Sequence, residues 1–134
     1  MGKRAGIALI LIIAAGLLYW ASGQLGWTEV ALVAELEEGV PHLYEIDDVS
    51  LYVVLLESGP IALKTDDPHP KACEIRWNDE NSLFGEPCLG STYQVDGSYF
   101  LGPSPRGMDH YSVRIKNGAV QVRLGSVTLG EERE

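Results

Sequence analysis

The chain is poor in most of what a reaction centre needs. Cysteine occurs twice in 134 residues, at Cys73 and Cys88, and histidine three times. There is no Cys-x-x-Cys pair to lower a thiol pKa, and the close-spaced ligand pairs of a zinc site are missing. Ser91 has no Gly-x-Ser-x-Gly frame, lying instead in Leu89-Gly90-Ser91-Thr92-Tyr93. Nothing resembles a phosphate loop or a dinucleotide fingerprint. His42 and His110 are isolated. Beyond the first apolar run no stretch keeps a 3.6-residue period, which argues against a helical domain. Internal repeats and low-complexity tracts are also absent, so no catalytic residue, cofactor or small-molecule substrate is expected.

Positive charge is scarce where it would matter. The chain has 10 basic and 19 acidic residues, a net charge of −9. Lys3 and Arg4 precede the first apolar run, and every acidic residue follows it. Past residue 23 the balance is 8 basic against 19 acidic, or −11. A phosphate backbone would be repelled, so nucleic acid is not an expected partner.

Charge of either sign is missing from Ala5 to Ala21, 17 residues rich in Ile, Leu and Ala. As a helix rising about 1.5 Å per residue, that run spans about 25 Å, and its flanks bring it near the thickness of a bilayer core. Lys3 and Arg4 belong on the cytoplasmic side, and Tyr19, Trp20 and Trp27 suit the opposite interface. A cleaved signal peptide would need a better small-x-small site than Ala21-Ser22-Gly23 and a shorter core. The expectation is a single-pass cell-membrane protein, with its soluble domain in the periplasm or at the cell surface. In that compartment two cysteines most simply form one disulfide. Fourteen residues separate them, and closing such a loop is worth about 3 kcal/mol in the chain-entropy account.

The rest reads as short strands and turns. Val49–Leu56 is apolar and β-branched, and Ile61–Lys64 follows the turn residues Ser58-Gly59-Pro60. Tyr111–Lys116 and Ala119–Leu124 flank Asn117-Gly118, a strong hairpin signal. Val113 and Ile115 share one face of the first arm, and Val120, Val122 and Leu124 one face of the second. An all-β domain, a small antiparallel sandwich or barrel, is predicted. The expected division is an anchor at 1–23, a neck at 24–29, a β-domain at 30–127 and a tail at 128–134, frayed at Glu131–Glu134.

Three stretches carry a more specific signal. They are Asp67-Pro68-His69-Pro70-Lys71-Ala72-Cys73-Glu74-Ile75-Arg76-Trp77, then Glu86-Pro87-Cys88-Leu89-Gly90-Ser91-Thr92-Tyr93, then Gly102-Pro103-Ser104-Pro105. In this order they resemble the cluster-binding half of a Rieske protein, the membrane-anchored iron–sulfur subunit of cytochrome bc-type complexes. That family has an N-terminal helix, a neck and a β-domain with two cluster loops, Cys-x-His-x-x-Cys and Cys-x-Cys-His-Gly-Ser-x-Tyr, under a Gly-Pro-x-Pro covering loop. The resemblance puts Asp67 and Glu86 in the places of the two thiolate ligands. His69 takes the place of one histidine ligand, and Leu89 that of the other. Cys73, with one extra residue before it, and Cys88 take the places of the family's disulfide. Gly90, Ser91, Tyr93, Gly102, Pro103 and Pro105 match outright.

Three of four ligand positions are therefore changed while both disulfide positions are kept. The cluster needs two thiolates on one iron and two imidazoles on the other. Asp67 and Glu86 offer hard oxygen, and Leu89 offers no donor. In cluster-bearing relatives the serine and tyrosine hydrogen-bond to sulfur; here Ser91 and Tyr93 are expected to bond locally instead. The resemblance implies a tethered domain without a cluster, a structural or accessory subunit of a respiratory or photosynthetic electron-transfer complex. Its partners would be other membrane subunits, docked through residues 66–72, 84–92 and 102–107. The alternative is a Rieske-type electron carrier, quinol–cytochrome c reductase-like, with unorthodox cluster or metal ligation. Asp67, His69 and Glu86 form one conceivable metal set, and Cys73, Cys88, His69 and His110 a weaker one.

Overall fold

The computed structural model describes residues 10–19 and 25–134. Of the expected anchor, residues 10–19 are helical and expose their apolar side chains. The remainder of 1–23 lies outside the described residues, as does Gln24. Among the described residues no helix is long and apolar enough to cross a membrane.

Ten strands follow, with a 3₁₀ turn at Val33–Glu35. A six-stranded antiparallel sheet runs β1-β10-β9-β4-β3-β2, built from Thr28–Leu32, Ala119–Thr128, His110–Lys116, Gly59–Lys64, Val49–Leu56 and His42–Ile46. A four-stranded sheet runs β5-β6-β7-β8, from Arg76–Asn78, Leu83–Gly85, Thr92–Tyr93 and Tyr99–Leu101. The whole small sheet is an excursion between β4 and β9. Its entry, its β6–β7 connection and its exit are the three stretches singled out in the sequence.

β3 explains how the two sheets share a core. Successive strand residues face opposite sides, and both faces of β3 are covered. Leu51 and Val53 join Ala62, Tyr111, Val120 and Val122 in one cluster. Tyr52 and Val54 join Leu63, Ile75, Phe84, Tyr93 and Met108 in the other, beneath the small sheet. Phe84 sits between Tyr52 and Trp77, with ring centroids 5.0 and 4.9 Å away in edge-on contacts. The Tyr52 hydroxyl also accepts the Trp77 N–H at 3.1 Å. The apolar run Val49–Leu56 is thus a strand buried on both faces.

The β9–β10 hairpin turns at Asn117-Gly118, with φ of 51° and 74°, the paired left-handed residues that such turns favour. Val113 pairs with Val122 and Ile115 with Val120. Ile115, next to the turn, remains 51% exposed although its partner Val120 is buried in the core.

Both ends of the domain are better tied than predicted. Thr28 and Glu29, expected in the neck, pair with Val122 and Gln121. Trp27 lies against the Arg114 and Arg123 guanidiniums, at 4.3 and 5.7 Å, and Arg123 donates to the Leu25 carbonyl at 3.2 Å. Thr128, expected in the tail, ends β10. The tail itself is not frayed. Gly107 donates to the Glu131 carbonyl at 2.9 Å and Arg133 to the Pro105 carbonyl at 3.2 Å. The last residues therefore lie along the covering loop.

Candidate functional site

The first loop, residues 65–75, is shaped by its own polar side chains. Asp67 Oδ1 accepts the His69 N–H at 2.8 Å, and His69 Nδ1 accepts the Lys71 N–H at 3.2 Å. Such side-chain-to-backbone turns hold a loop without regular structure. Asp67 Oδ2 accepts the hydroxyl of Tyr93. Tyr93 is fully buried; burial and the Asp67 carboxylate together push its phenol well above the ordinary tyrosine range. The buried tyrosine hydroxyl is thus satisfied by a carboxylate from the first loop.

The second loop is built around Glu86, 2% exposed. Its backbone N–H donates to the Ser91 carbonyl at 2.8 Å, and its carbonyl accepts the Gly90 N–H at 3.0 Å, closing a tight loop. Gly90 has φ of 88°, which favours glycine. The side chain turns inward. Oε1 accepts the N–H groups of Cys73 at 2.9 Å and Cys88 at 2.5 Å, and Oε2 that of Leu89 at 2.9 Å. Burial raises the pKa of this carboxyl, but the amides of Cys73, Leu89, Cys88 and Gly90 outweigh it and hold the group below the ordinary glutamate range. A carboxylate accepting several backbone N–H bonds behaves this way. This central role was not legible in the sequence, because one of the donors comes from the other loop.

Cys73 and Cys88 form the expected disulfide, with Cα atoms 5.5 Å apart, within the usual span. Both are solvent-exposed. The staple thus lies outside the carboxylate, which occupies the interior of the loop junction.

The covering loop closes over the second loop through backbone contact. At Gly102, φ is 105°, and a Cβ there would lie 2.5 Å from Ser91 Cα. Ser91 Oγ accepts the Ser104 N–H at 3.0 Å, and Ser104 Oγ donates to the Arg106 carbonyl at 2.8 Å. Arg106 meets Asp109 in a two-pronged ion pair, both bonds 2.9 Å. Burial pushes the Asp109 carboxyl up, but Arg106 and the Gly130 N–H bring it below the ordinary aspartate range.

These residues do not fit a Rieske cluster. Asp67 is committed to Tyr93 and His69, Glu86 to backbone amides, and Leu89 carries no donor atom and is 41% exposed. Neither conceivable metal set is gathered. Among the described residues the one group with converging ligand atoms is Cys73, Glu86 and Cys88, all within 4.8 Å. Asp67, His69 and His110 are not part of it.

No family model matches the chain. It is 25% identical over 95 residues to the cytochrome b6-f complex iron–sulfur subunit of Chlorobaculum tepidum, covering 71% of this chain and 52% of that relative. The corresponding subunit of Chlorobaculum thiosulfatiphilum is 23% identical over 91 residues, covering 68% of this chain and 50% of that one. The chain thus spans about half the length of the curated relatives it matches. Among solved structures, the plasma-membrane Rieske protein of the cyanobacterium Synechocystis superposes with a TM-score of 0.58 at 21% identity, covering 71% of this chain and 97% of that one. A chain of a hyperthermophilic respiratory Complex III superposes at 0.55 with 15% identity, covering 88% and 98%. The same fold occurs in a quaternary ammonium Rieske monooxygenase, with a TM-score of 0.61 over 31% of that chain.

Proposed function

From the premise that the chain is a Rieske-like domain with three of its four ligand positions replaced, we propose that it is a cluster-free accessory subunit of a membrane-bound electron-transfer complex, non-catalytic itself. The observation that carries this reading is Glu86. A buried carboxylate that accepts three backbone amides stands where the resemblance places a thiolate ligand. The disulfide and the amide bonds to Glu86 tie the two loops together, which supports a junction that keeps its shape without iron.

Three further features support the reading. Curated relatives are named as subunits of a cytochrome b6-f complex. The helical residues 10–19 leave Ile10, Leu11, Ile12, Leu17 and Leu18 more than half exposed, a surface suited to lipid or to neighbouring helices. Near the loops, Leu89 is exposed, and so is Leu101, which pairs with Thr92. Exposed apolar side chains beside a rigid backbone are what a docking surface requires. Residues 66–72, 84–92 and 102–107 form the proposed contact, with the domain outside the cytoplasm and the N-terminus inside.

Two measurements test this. Protein made under cluster-supplying conditions is expected to be colourless and iron-free, with no reduced-state electron paramagnetic resonance signal. After mild detergent extraction it should migrate with larger membrane subunits on native gels. A stoichiometric iron signal would overturn the cluster-free assignment, and migration as a lone chain the accessory role.

A further inference from the structure

We propose that reducing the Cys73–Cys88 disulfide converts the loop junction into a divalent metal site of the zinc class, with Cys73 Sγ, Cys88 Sγ and a Glu86 carboxylate oxygen as ligands. These atoms already lie within 4.8 Å of one another. Metal–sulfur distances of about 2.3 Å and metal–oxygen distances of about 2.0 Å place tetrahedral ligands roughly 3.3–3.8 Å apart. Opening the sulfurs to that spacing needs only side-chain rotation, because both cysteines are exposed and their Cα atoms, at 5.5 Å, can stay in place.

The donor set selects the ion. Two soft thiolates with one hard carboxylate suit zinc, whereas calcium and magnesium require oxygen throughout. The fourth position faces solvent and is open to water. Oε1 takes two amides but Oε2 only that of Leu89, which leaves a lone pair for the metal, and these amides orient Glu86 before any metal arrives. Two thiolates beside a buried carboxylate would also concentrate negative charge, which a divalent cation neutralises.

The chemistry balances with a dithiol as reductant. The dithiol supplies two electrons and two protons and closes to its own disulfide, and the protein disulfide opens to two thiols; a phosphine does the same with one water, which supplies the two protons and leaves its oxygen on the phosphine oxide. Metal binding then displaces the two thiol protons to solvent. The site rests on the loop junction alone and does not depend on a host complex.

Cobalt(II) is a direct probe, because thiolate ligation gives it a charge-transfer absorption that oxygen ligation does not. The full chain in detergent, reduced by a phosphine without oxygen, is expected to bind about one equivalent of cobalt with that absorption, and zinc should displace it. The oxidised chain should show no such band. Glu86→Gln should weaken cobalt binding at least about tenfold, and the double variant Cys73→Ser/Cys88→Ser, which retains Glu86, should abolish the band. If Glu86→Gln does not fold, Glu86→Asp, which draws the carboxylate back by one methylene from both sulfurs, should weaken binding likewise. Absence of the band in the reduced chain overturns the proposal, whether or not near-ultraviolet circular dichroism shows that reduction has unfolded it. So does retention of the band in the double variant. Undiminished affinity in the folded Glu86 variant would remove the carboxylate from the ligand set and overturn the site as proposed.

Discussion

The backbone N–H of Cys73 donates to Oε1 of Glu86 at 2.9 Å across thirteen positions of sequence. The same oxygen takes the N–H of Cys88, so one carboxylate grips both residues of the disulfide from the inside. Covalent bond and carboxylate restrain the same two loops, and their contributions should not add simply.

Removing the carboxylate is therefore expected to be costly. Glu86→Ala strands three amide donors, each worth about 1–3 kcal/mol if water cannot reach it. The exposed cysteines let water approach some of them, so a loss of about 2–4 kcal/mol is expected. Glu86→Gln keeps an acceptor for Cys73 and Cys88 but presents an NH₂ group to the Leu89 amide, for a loss of about 1–2 kcal/mol. Urea unfolding of both variants measures this. An alanine variant as stable as the parent would show that the carboxylate is not an organising group.

Stability should fall in acid in two stages. Burial holds His110 below its ordinary pKa, opposed by Asp96 and Asp109, so the unfolded chain binds that proton more readily. Its contribution is complete above the unfolded value of about 6.5 and is lost as pH falls toward the folded value. Glu86 and Asp109 are also depressed in the fold. Their contributions are complete above unfolded carboxyl values of about 4 and are lost below them. Thermal midpoints should therefore be level above about pH 7, dip gently below it and drop steeply under about pH 4. In His110→Gln the gentle stage should vanish while the steep one remains. Midpoints that rise on acidification would contradict the linkage.

The covering loop offers a purely steric test. Gly102→Ala places a methyl 2.5 Å from Ser91 Cα at a φ of 105°. Left-handed strain of about 1–2 kcal/mol and overpacking of about 1–3 kcal/mol act together, and neither backbone can yield cheaply. We expect a loss of about 3 kcal/mol in urea unfolding. The Ser104 amide, held by Ser91 Oγ, should exchange its hydrogen faster. An unchanged exchange rate would mean that the loop does not rest on Ser91.

Much of this architecture was legible because it depends on local pattern. The doubly buried β3 shows as an uninterrupted apolar run, and the β9–β10 turn as Asn117-Gly118. The disulfide followed from there being only two cysteines beyond the apolar run, and the loop order from the resemblance to the Rieske loops. What escaped notice is tertiary. The resemblance put Glu86 in a ligand's place, but nothing near it in sequence shows that the Cys73 amide approaches it. The object of Tyr93 was likewise hidden, because Asp67 lies 26 positions away. Tail and neck were misread for a related reason. Residues 131–134 are mostly charged, and backbone pairing with residues 105–107 leaves no mark on side-chain pattern.

That tail supports the last prediction. Arg133 donates to the Gly102 carbonyl at 3.0 Å and to the Tyr99 hydroxyl at 3.3 Å, and that hydroxyl donates to Gly102 at 2.6 Å. Its backbone N–H bonds Pro105, while Glu131 accepts from Gly107. The last four residues thus brace the covering loop through bonds separate from its contact with Ser91. Deleting residues 131–134 removes these bonds together but leaves Gly130, whose N–H holds Asp109 at 2.9 Å. Because the tail's own residues are exposed, each bond is worth about 0.5–1 kcal/mol, and a total loss of about 1–2 kcal/mol is expected. The Gly107 amide should lose most of its exchange protection while amides in β3 keep theirs, since local opening need not involve the core. If Gly107 stays protected in the truncated chain, the covering loop is held from inside alone and the brace is incidental.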